Sequence, residues 1–207
     1  RSSFARKRAG HIMMLKVASR FPVSSEFIIA HASGSTYLYK QHIMHALMDA
    51  GYTDKIFGDL FHALFSPESE TNILAPTKYP DVTEVIDEVH NAGGIAVLAH
   101  PAFYDNFDEI EKYRNMGLDG IEVWHPSASK EQIDKLTAYC KMTGLLMTGG
   151  SDFHGIYGPS PVTIGSCTTP QDHVEKLLGY KAKKKRAQRK AEKQAAMQNA
   201  AVHKDDF

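Results

Sequence analysis

Cysteine is scarce in this sequence: its 207 residues include only Cys140 and Cys167, which do not form a CxxC motif. Clustered-cysteine metal sites are therefore excluded, one disulfide has no support from the spacing, and a reduced, cytoplasmic setting is expected. No apolar run approaches the ~18 residues of a membrane span, and no signal peptide is expected. No membrane partner is expected. Walker A, GxGxxG and nucleophile-elbow motifs are absent too, so their chemistries have no support.

The chain also lacks net charge, because 24 basic residues balance 24 acidic ones. The charge is unevenly distributed along the chain, however. Between Lys181 and Lys193 eight residues are Lys or Arg and one is Glu, so the remainder is acidic and suited to binding cations. The basic segment is expected to be a solvated helix or disordered, with gripping nucleic acid as an alternative. Since the sequence begins at Arg1 without a Met, we expect a fragment or a processed product.

Apolar spacing divides the chain into three regions. Residues 1–75 have apolar positions at helical intervals and predict a helical subdomain, with helices over 1–20, 39–50 and 53–65. Residues 76–179 alternate helix and strand, which is typical of an α/β fold with a parallel sheet. Residues 180–207 form the basic tail.

The α/β region contains short apolar runs that predict buried strands. Strands are expected over 95–99, 120–124 and 145–147, with one more short strand over 162–165. Helices are expected over 81–92, 107–116, 129–143 and 171–179.

Metal-capable side chains follow three of these strands: His100, His125, and the pair Asp152 and His154. Ligands of parallel α/β proteins gather at the carboxyl ends of the strands. In an extended chain Asp152 and His154 point to the same side, so both could bind one divalent ion such as Zn, Mn or Fe. His125 could instead line the pocket without touching metal. Glu122 is a paired core carboxylate or a site residue, and the pairing is favoured.

The helical region offers a second set of polar side chains. Lys40 and His42 could bind a phosphate as cation and hydrogen-bond donor. His45 lies one turn beyond His42, which makes a His-x-x-His metal site conceivable, although a polar helix face is the favoured interpretation of His45. The remaining histidines form no constellation and are expected at the surface: His11, His31, His62, His90, His173 and His203.

Three motifs give the chain a family likeness. GGIAVLAHP, GLDGIEVWHP and GLLMTGGSDFHG resemble the last motifs of the polymerase and histidinol phosphatase (PHP) superfamily, above all its stand-alone phosphoesterases acting on nucleoside bisphosphates and on RNA or DNA 5′ ends. YLYKQHIMHALMDAGY is similar to the helical insertion of that family. The likeness covers residues 1 to about 168 and leaves out the tail.

The resemblance implies a distorted seven-stranded β/α barrel, here only its C-terminal part, with divalent metals (Mn, Zn, Fe or Mg) at the strand ends. By the same likeness His100, Asp152 and His154 are metal ligands, and Lys40 and His42 face substrate phosphate. His125, also facing the phosphate, is the candidate catalytic residue.

One departure from the family is severe, because the N-terminal His-x-His motif and the metal ligands that follow it are absent. The resemblance implies a metal-dependent phosphoesterase that hydrolyses phosphate esters of nucleotides or nucleic-acid 5′ ends by metal-activated water. This chain alone is expected to hydrolyse little. The alternatives are a non-catalytic nucleic-acid-binding or regulatory module on the same scaffold, and a metal-dependent amidohydrolase.

Overall fold

The structure, a computed structural model, describes residues 2–180, in which helices come first and a parallel sheet follows. The described helices are α1 (Ser2–Ala18), α2 (Ser25–Ala30), α3 (Lys40–Asp49), α4 (Asp59–Phe65), α5 (Val82–Asn91), α6 (Pro101–Tyr104), α7 (Ile110–Asn115), α8 (Lys130–Thr143) and α9 (residues 171–180). The strands are β1 (Val97–Leu98), β2 (Gly120–Trp124) and β3 (Leu146–Gly149). The basic tail lies outside the described residues.

These elements form two compact units. The helical unit contains the described residues up to Asp81 together with the segment His154–Pro161, and the sheet unit contains Val82–Phe153 and the described residues from Val162 onward. The α/β class predicted from the sequence is confirmed. That these elements are the C-terminal part of a distorted β/α barrel stays a prediction, since the described residues form three strands.

The helical unit packs α1 to α4 around one apolar core. Ser24 caps α2 by accepting a hydrogen bond from the Phe27 backbone N–H over 3.1 Å, as a helix start favours. Fully buried side chains, which would be costly to expose, hold the helices together: Val17, Ile28, Ile43, Met44, Leu47 and Ile73. The helix predicted over 53–65 begins only at Asp59, and the residues directly before it form bends without helical hydrogen bonds.

The sheet unit is a parallel sheet in the order β1-β2-β3. Ile121 of β2 pairs with Leu98 on one side and Met147 on the other. Ser129 begins α8 with a hydrogen bond to the Gln132 backbone N–H, and Gly144 ends it at φ +78°, a conformation that glycine adopts readily. Because parallel strands end at the same edge, the residues after β1, β2 and β3 share that edge.

One predicted strand is wrong. Residues 162–165 do not form a strand. The Ser166 N–H donates to the Thr163 carbonyl over 3.1 Å and Gly165 has φ +81°, so the backbone closes a turn there instead of pairing with a neighbour.

In the part of the chain that the structure describes, no helix has the length and apolar character needed to cross a membrane.

Candidate functional site

The carboxyl edge of the sheet brings together three of the predicted site residues. His100 follows β1, His125 follows β2 and Asp152 follows β3. The rings of His100 and His125 are 5.3 Å apart between centroids, and His125 Nε2 lies 3.5 Å from Asp152 Oδ2. These side chains are close enough to share a ligand.

The backbone is unusual at two of these residues. His100 has φ +31° and Asp152 has φ +49°, a left-handed region that is uncommon for residues other than glycine. The extended backbone expected at Asp152 is therefore wrong. Strained backbone of this kind concentrates at functional sites.

Glu122 holds the backbone at His100. Its Oε2 accepts a hydrogen bond from the His100 N–H over 2.8 Å. Glu122 is therefore a paired carboxylate, as favoured from the sequence. Gly150 packs against the same carboxylate, because a Cβ at Gly150 would lie 3.3 Å from Glu122 Oε1. Glu122 therefore positions a site residue from the middle of β2.

Two imidazole nitrogens in this site are buried without a hydrogen bond from any described residue: His100 Nδ1 and His125 Nε2. Buried polar atoms are nearly always paired, so atoms like these call for an explanation such as a bound ion. With the Asp152 carboxylate, His100 Nδ1 forms a nitrogen and oxygen donor set, which fits a divalent transition metal.

The outer nitrogen of His125 is held by Ser127. The Ser127 N–H donates to His125 Nδ1 over 3.1 Å, and the Ser127 hydroxyl lies 2.7 Å from the same atom. His125 itself is 6% exposed. The ring is therefore fixed in orientation.

The other predicted site residues lie in the helical unit: His154, Lys40 and His42. Lys40 lines a cleft of about 580 Å³ and its Nζ lies 5.6 Å from the Phe65 ring centroid. Burial lowers the pKa of Lys40. The roles of these three residues stay predictions.

His42 is buried at the start of α3. Its Nδ1 accepts the Tyr39 N–H over 3.1 Å. Burial is the main cause that lowers the pKa of His42, and the neighbouring His45 and His31 add to it. His42 is therefore biased toward the neutral form, in which its other nitrogen carries the proton.

Sequence reasoning missed two pairs between histidine and aspartate. His90, expected at the surface, places Nε2 2.7 Å from Oδ2 of the buried Asp119. Asp119 also accepts from the Ala96 N–H at 2.8 Å and the Tyr180 hydroxyl at 2.7 Å, and burial followed by this bond raises the pKa of Tyr180 to about 12. His31, also expected at the surface, pairs with Asp49. Neither pair has a local sequence signal, because its partners are far apart along the chain.

Comparison with known proteins shows that the chain is similar to enzymes that hydrolyse phosphate esters. No family model matches the chain. A phosphoribosyl 1,2-cyclic phosphate 1,2-diphosphodiesterase of Eggerthella lenta is 32% identical over 162 residues, which are 77% of this chain and 61% of that protein. A 3′,5′-nucleoside bisphosphate phosphatase of Chromobacterium violaceum is 28% identical over 120 residues, covering 56% of this chain and 41% of that protein.

A solved structure shows the same likeness. The crystal structure of a protein from Bifidobacterium adolescentis, designated a metal-dependent phosphoesterase, has a TM-score of 0.72 and 30% identity, covering 86% of this chain and 63% of that one. The predicted resemblance to PHP-type phosphoesterases is thus confirmed, and the relatives bear the names of hydrolases. The chain spans about three-fifths of the length of the Eggerthella lenta and Bifidobacterium adolescentis proteins.

Proposed function

We propose that this chain provides strand-end residues of a divalent-metal site in a phosphoesterase that acts on phosphate esters of nucleotides or on nucleic-acid 5′ ends. One observation carries the proposal: at the carboxyl edge of a parallel sheet, His100 Nδ1 is buried without a hydrogen bond from any described residue, next to His125, whose Nε2 lies 3.5 Å from the Asp152 carboxylate. Burial of an unsatisfied nitrogen such as His100 Nδ1 is costly unless a ligand binds it.

The residues proposed to hold metal are His100, Asp152 and His154. When bound, the divalent metal supplies a water of lowered pKa and neutralises charge on the phosphoryl oxygens. These three residues supply the donor atoms at fixed positions. Glu122 assists because its carboxylate holds the backbone at His100.

We assign His125 a different role from that of a ligand. An N–H can only donate, so the Ser127 N–H makes His125 Nδ1 an acceptor, and the neutral ring then carries its proton on Nε2. A protonated Nε2 cannot bind metal. It can donate to a phosphoryl oxygen or to the leaving oxygen as the P–O bond breaks.

The proposed substrate class rests on chemistry and on the relatives. Lys40 and His42 supply a cation and an N–H donor suited to phosphate. The relatives named above act, by their names, on a phosphoribosyl cyclic phosphate and on nucleoside bisphosphates. Both are phosphate esters of ribose, and nucleotides share that chemistry.

Titration of metal and assay of phosphate release test the proposal. Mn²⁺ or Zn²⁺ is titrated into the metal-free, untagged chain and into Asp152→Ala. Hydrolysis of a nucleoside 3′,5′-bisphosphate is followed with and without a polypeptide that supplies the N-terminal motifs of the family. The Asp152→Ala variant should bind metal more weakly than the parent and should not hydrolyse the substrate. The control Asp134→Ala, which changes an exposed residue of α8, should match the parent in both metal binding and hydrolysis. Equal hydrolysis by the parent and Asp152→Ala would refute the proposal.

We also assign the basic tail to electrostatic contact with nucleic acid. Eight basic side chains between Lys181 and Lys193 would give binding that weakens steeply with salt. Deletion of residues 181–207 should abolish binding of the chain to single-stranded RNA, whereas the Asp152→Ala variant should still bind it. Binding that is unchanged by the deletion would contradict this assignment.

Cys140 and Cys167 are free thiols, in keeping with the cytoplasmic location that we propose.

A further inference from the structure

A second cluster of metal-capable side chains lies wholly within the helical unit. His31 follows the last turn of α2, and His45 and Asp49 lie one turn apart on α3. His31 Nε2 is 3.0 Å from Asp49 Oδ2, and His45 Nε2 is 3.8 Å from Asp49 Oδ1. One ligand atom from each residue lies within 4.8 Å of the other two.

The outer nitrogen of each imidazole is held by an oxygen. His31 Nδ1 lies 2.9 Å from the Phe27 carbonyl oxygen, and His45 Nδ1 lies 2.9 Å from the Tyr157 hydroxyl. Metal-binding histidines almost always donate the N–H of their second nitrogen to such an oxygen, which fixes the ring and turns the other nitrogen to the metal. The cluster therefore has the outer hydrogen bonds of a metal site as well as the ligands.

The His31 bond to Phe27 also fixes which nitrogen is protonated. A carbonyl can only accept, so Nδ1 of His31 carries a hydrogen, and Nε2 of the neutral ring is a lone pair facing the Asp49 carboxylate. Two acceptors at 3.0 Å repel each other unless a cation lies between them. A second proton on His31 would satisfy that one pair. It would leave unexplained why His45 directs its Nε2 toward the same carboxylate at a distance too long for a hydrogen bond.

A metal ion accounts for all three groups. With bonds of ~2.0–2.2 Å in tetrahedral geometry, neighbouring ligand atoms stand roughly 3.3–3.6 Å apart. The His31 and His45 nitrogens lie 3.0 and 3.8 Å from the two different carboxylate oxygens of Asp49, and one ligand atom of each residue lies within 4.8 Å of the others, so side-chain adjustments on the order of 1 Å would complete the site. The side chains of His31 and His45 are 12% and 24% exposed, and that of Asp49 is 50% exposed. Two nitrogens and one oxygen leave a fourth position for water, on the solvent side.

We propose that His31, His45 and Asp49 bind a divalent transition metal of the zinc type, which ties α2 to α3. This site shares no residue with the site proposed at the sheet edge. Imidazole and carboxylate donors suit Zn²⁺, Ni²⁺ or Co²⁺ better than Mg²⁺ or Ca²⁺. Because its fourth position faces solvent, the site exchanges its ion more readily than a closed structural site.

The experiment uses the untagged full chain carrying Asp152→Ala, so that the sheet-edge site is removed. After chelator treatment, Co²⁺ is titrated and followed by visible absorption, and Zn²⁺ is titrated in equilibrium dialysis and in thermal melts. The chain should bind one equivalent through the cluster, and Zn²⁺ should raise its Tm. Adding Asp49→Asn should weaken that binding by at least about tenfold and abolish the rise in Tm.

Controls separate loss of the site from loss of the fold. His11→Gln, an exposed histidine of α1, should bind as the Asp152→Ala chain does, and circular dichroism should show that Asp49→Asn keeps its helices. Tyr157→Phe, which removes the oxygen beside His45, should weaken binding by about 10–100-fold. Equal Zn²⁺ binding with and without Asp49→Asn, or no bound ion at micromolar Zn²⁺ in the Asp152→Ala chain, would overturn the proposal and leave the sheet-edge site unaffected.

Discussion

The backbone N–H of His100 donates to Glu122 Oε2 over 2.8 Å, from the residue after one strand to the middle of the next. This bond holds His100 in a left-handed backbone conformation, which residues other than glycine rarely adopt. A carboxylate that sequence alone places in the core of β2 is thus a positioning residue for the candidate metal site.

We expect Glu122→Ala to weaken metal binding at the sheet edge. Without the carboxylate the His100 N–H is unpaired and the ring is free to turn, and the loss of such a supporting group typically costs about 10–100-fold in metal affinity. Glu122→Gln keeps an acceptor oxygen, so its metal affinity should be close to that of the parent. Chelator-competition titrations with Zn²⁺ in an Asp49→Asn background give the affinities.

The matched control is Glu88→Ala, which removes an exposed carboxylate from α5 in the same unit. It should leave the zinc affinity unchanged. If Glu122→Ala and Glu88→Ala bind zinc equally well, the bond to His100 has no part in shaping the site.

His125→Gln should separate catalysis from metal binding. Since His125 Nδ1 accepts from Ser127, we expect the ring to donate from Nε2 and not to bind metal. Metal affinity should therefore match the parent, whereas hydrolysis in the complemented assay should fall by about 10²–10⁴-fold, the usual contribution of a general acid. A parallel loss of metal binding and hydrolysis would show instead that His125 is a ligand.

Sequence periodicity predicts the positions of the three strands and of most helices, because each strand is a short, largely apolar run that polar residues follow. It fails at residues 162–165, where Val162 and Ile164 have the alternation of a strand but Gly165 turns the chain. The β-branched pattern there measures local preference, and the pairing partner that would complete a strand is a property of the fold.

The candidate site was predictable in part for a similar reason. His100, His125 and Asp152 follow strands whose ends meet at one edge, so topology alone groups them. His31 and Asp49 are 18 residues apart, in separate helices, and no spacing rule joins them. The angle at which α2 packs on α3 brings them together, and that angle depends on core side chains such as Ile28 and Leu47.

The buried thiol of Cys140 predicts a pH dependence at alkaline pH. Burial raises the pKa of this thiol from 9.0 to about 11. Between those values the unfolded chain loses the proton while the folded chain keeps it, so stability should fall as pH rises from 9 toward 11. Urea midpoints for the parent and for Cys140→Ala should converge over that range, since the variant lacks the titrating group.

Thiol labelling gives an independent check of the same residue. In a Cys167→Ser variant at pH 8, Cys140 should react with a thiol reagent only as fast as the protein unfolds, because the reactive form is the thiolate and the residue is 1% exposed. Rapid labelling under native conditions would contradict both the burial and the raised pKa.

Two glycine substitutions should change stability in opposite directions. A Cβ at Gly149 would lie 2.6 Å from the Trp124 Cβ and 2.8 Å from the Trp124 carbonyl oxygen, where β3 pairs with β2. Gly149→Ala should therefore destabilise the chain by about 1–3 kcal/mol. A Cβ at Gly179, in α9, meets nothing within 4 Å, so Gly179→Ala should stabilise by up to ~1 kcal/mol through helix propensity. Urea unfolding measures both free energies. Equal stabilities for the two variants would mean that β3 does not approach Trp124 as closely as the structure has it, and the sheet edge that holds Asp152 would have to be arranged differently.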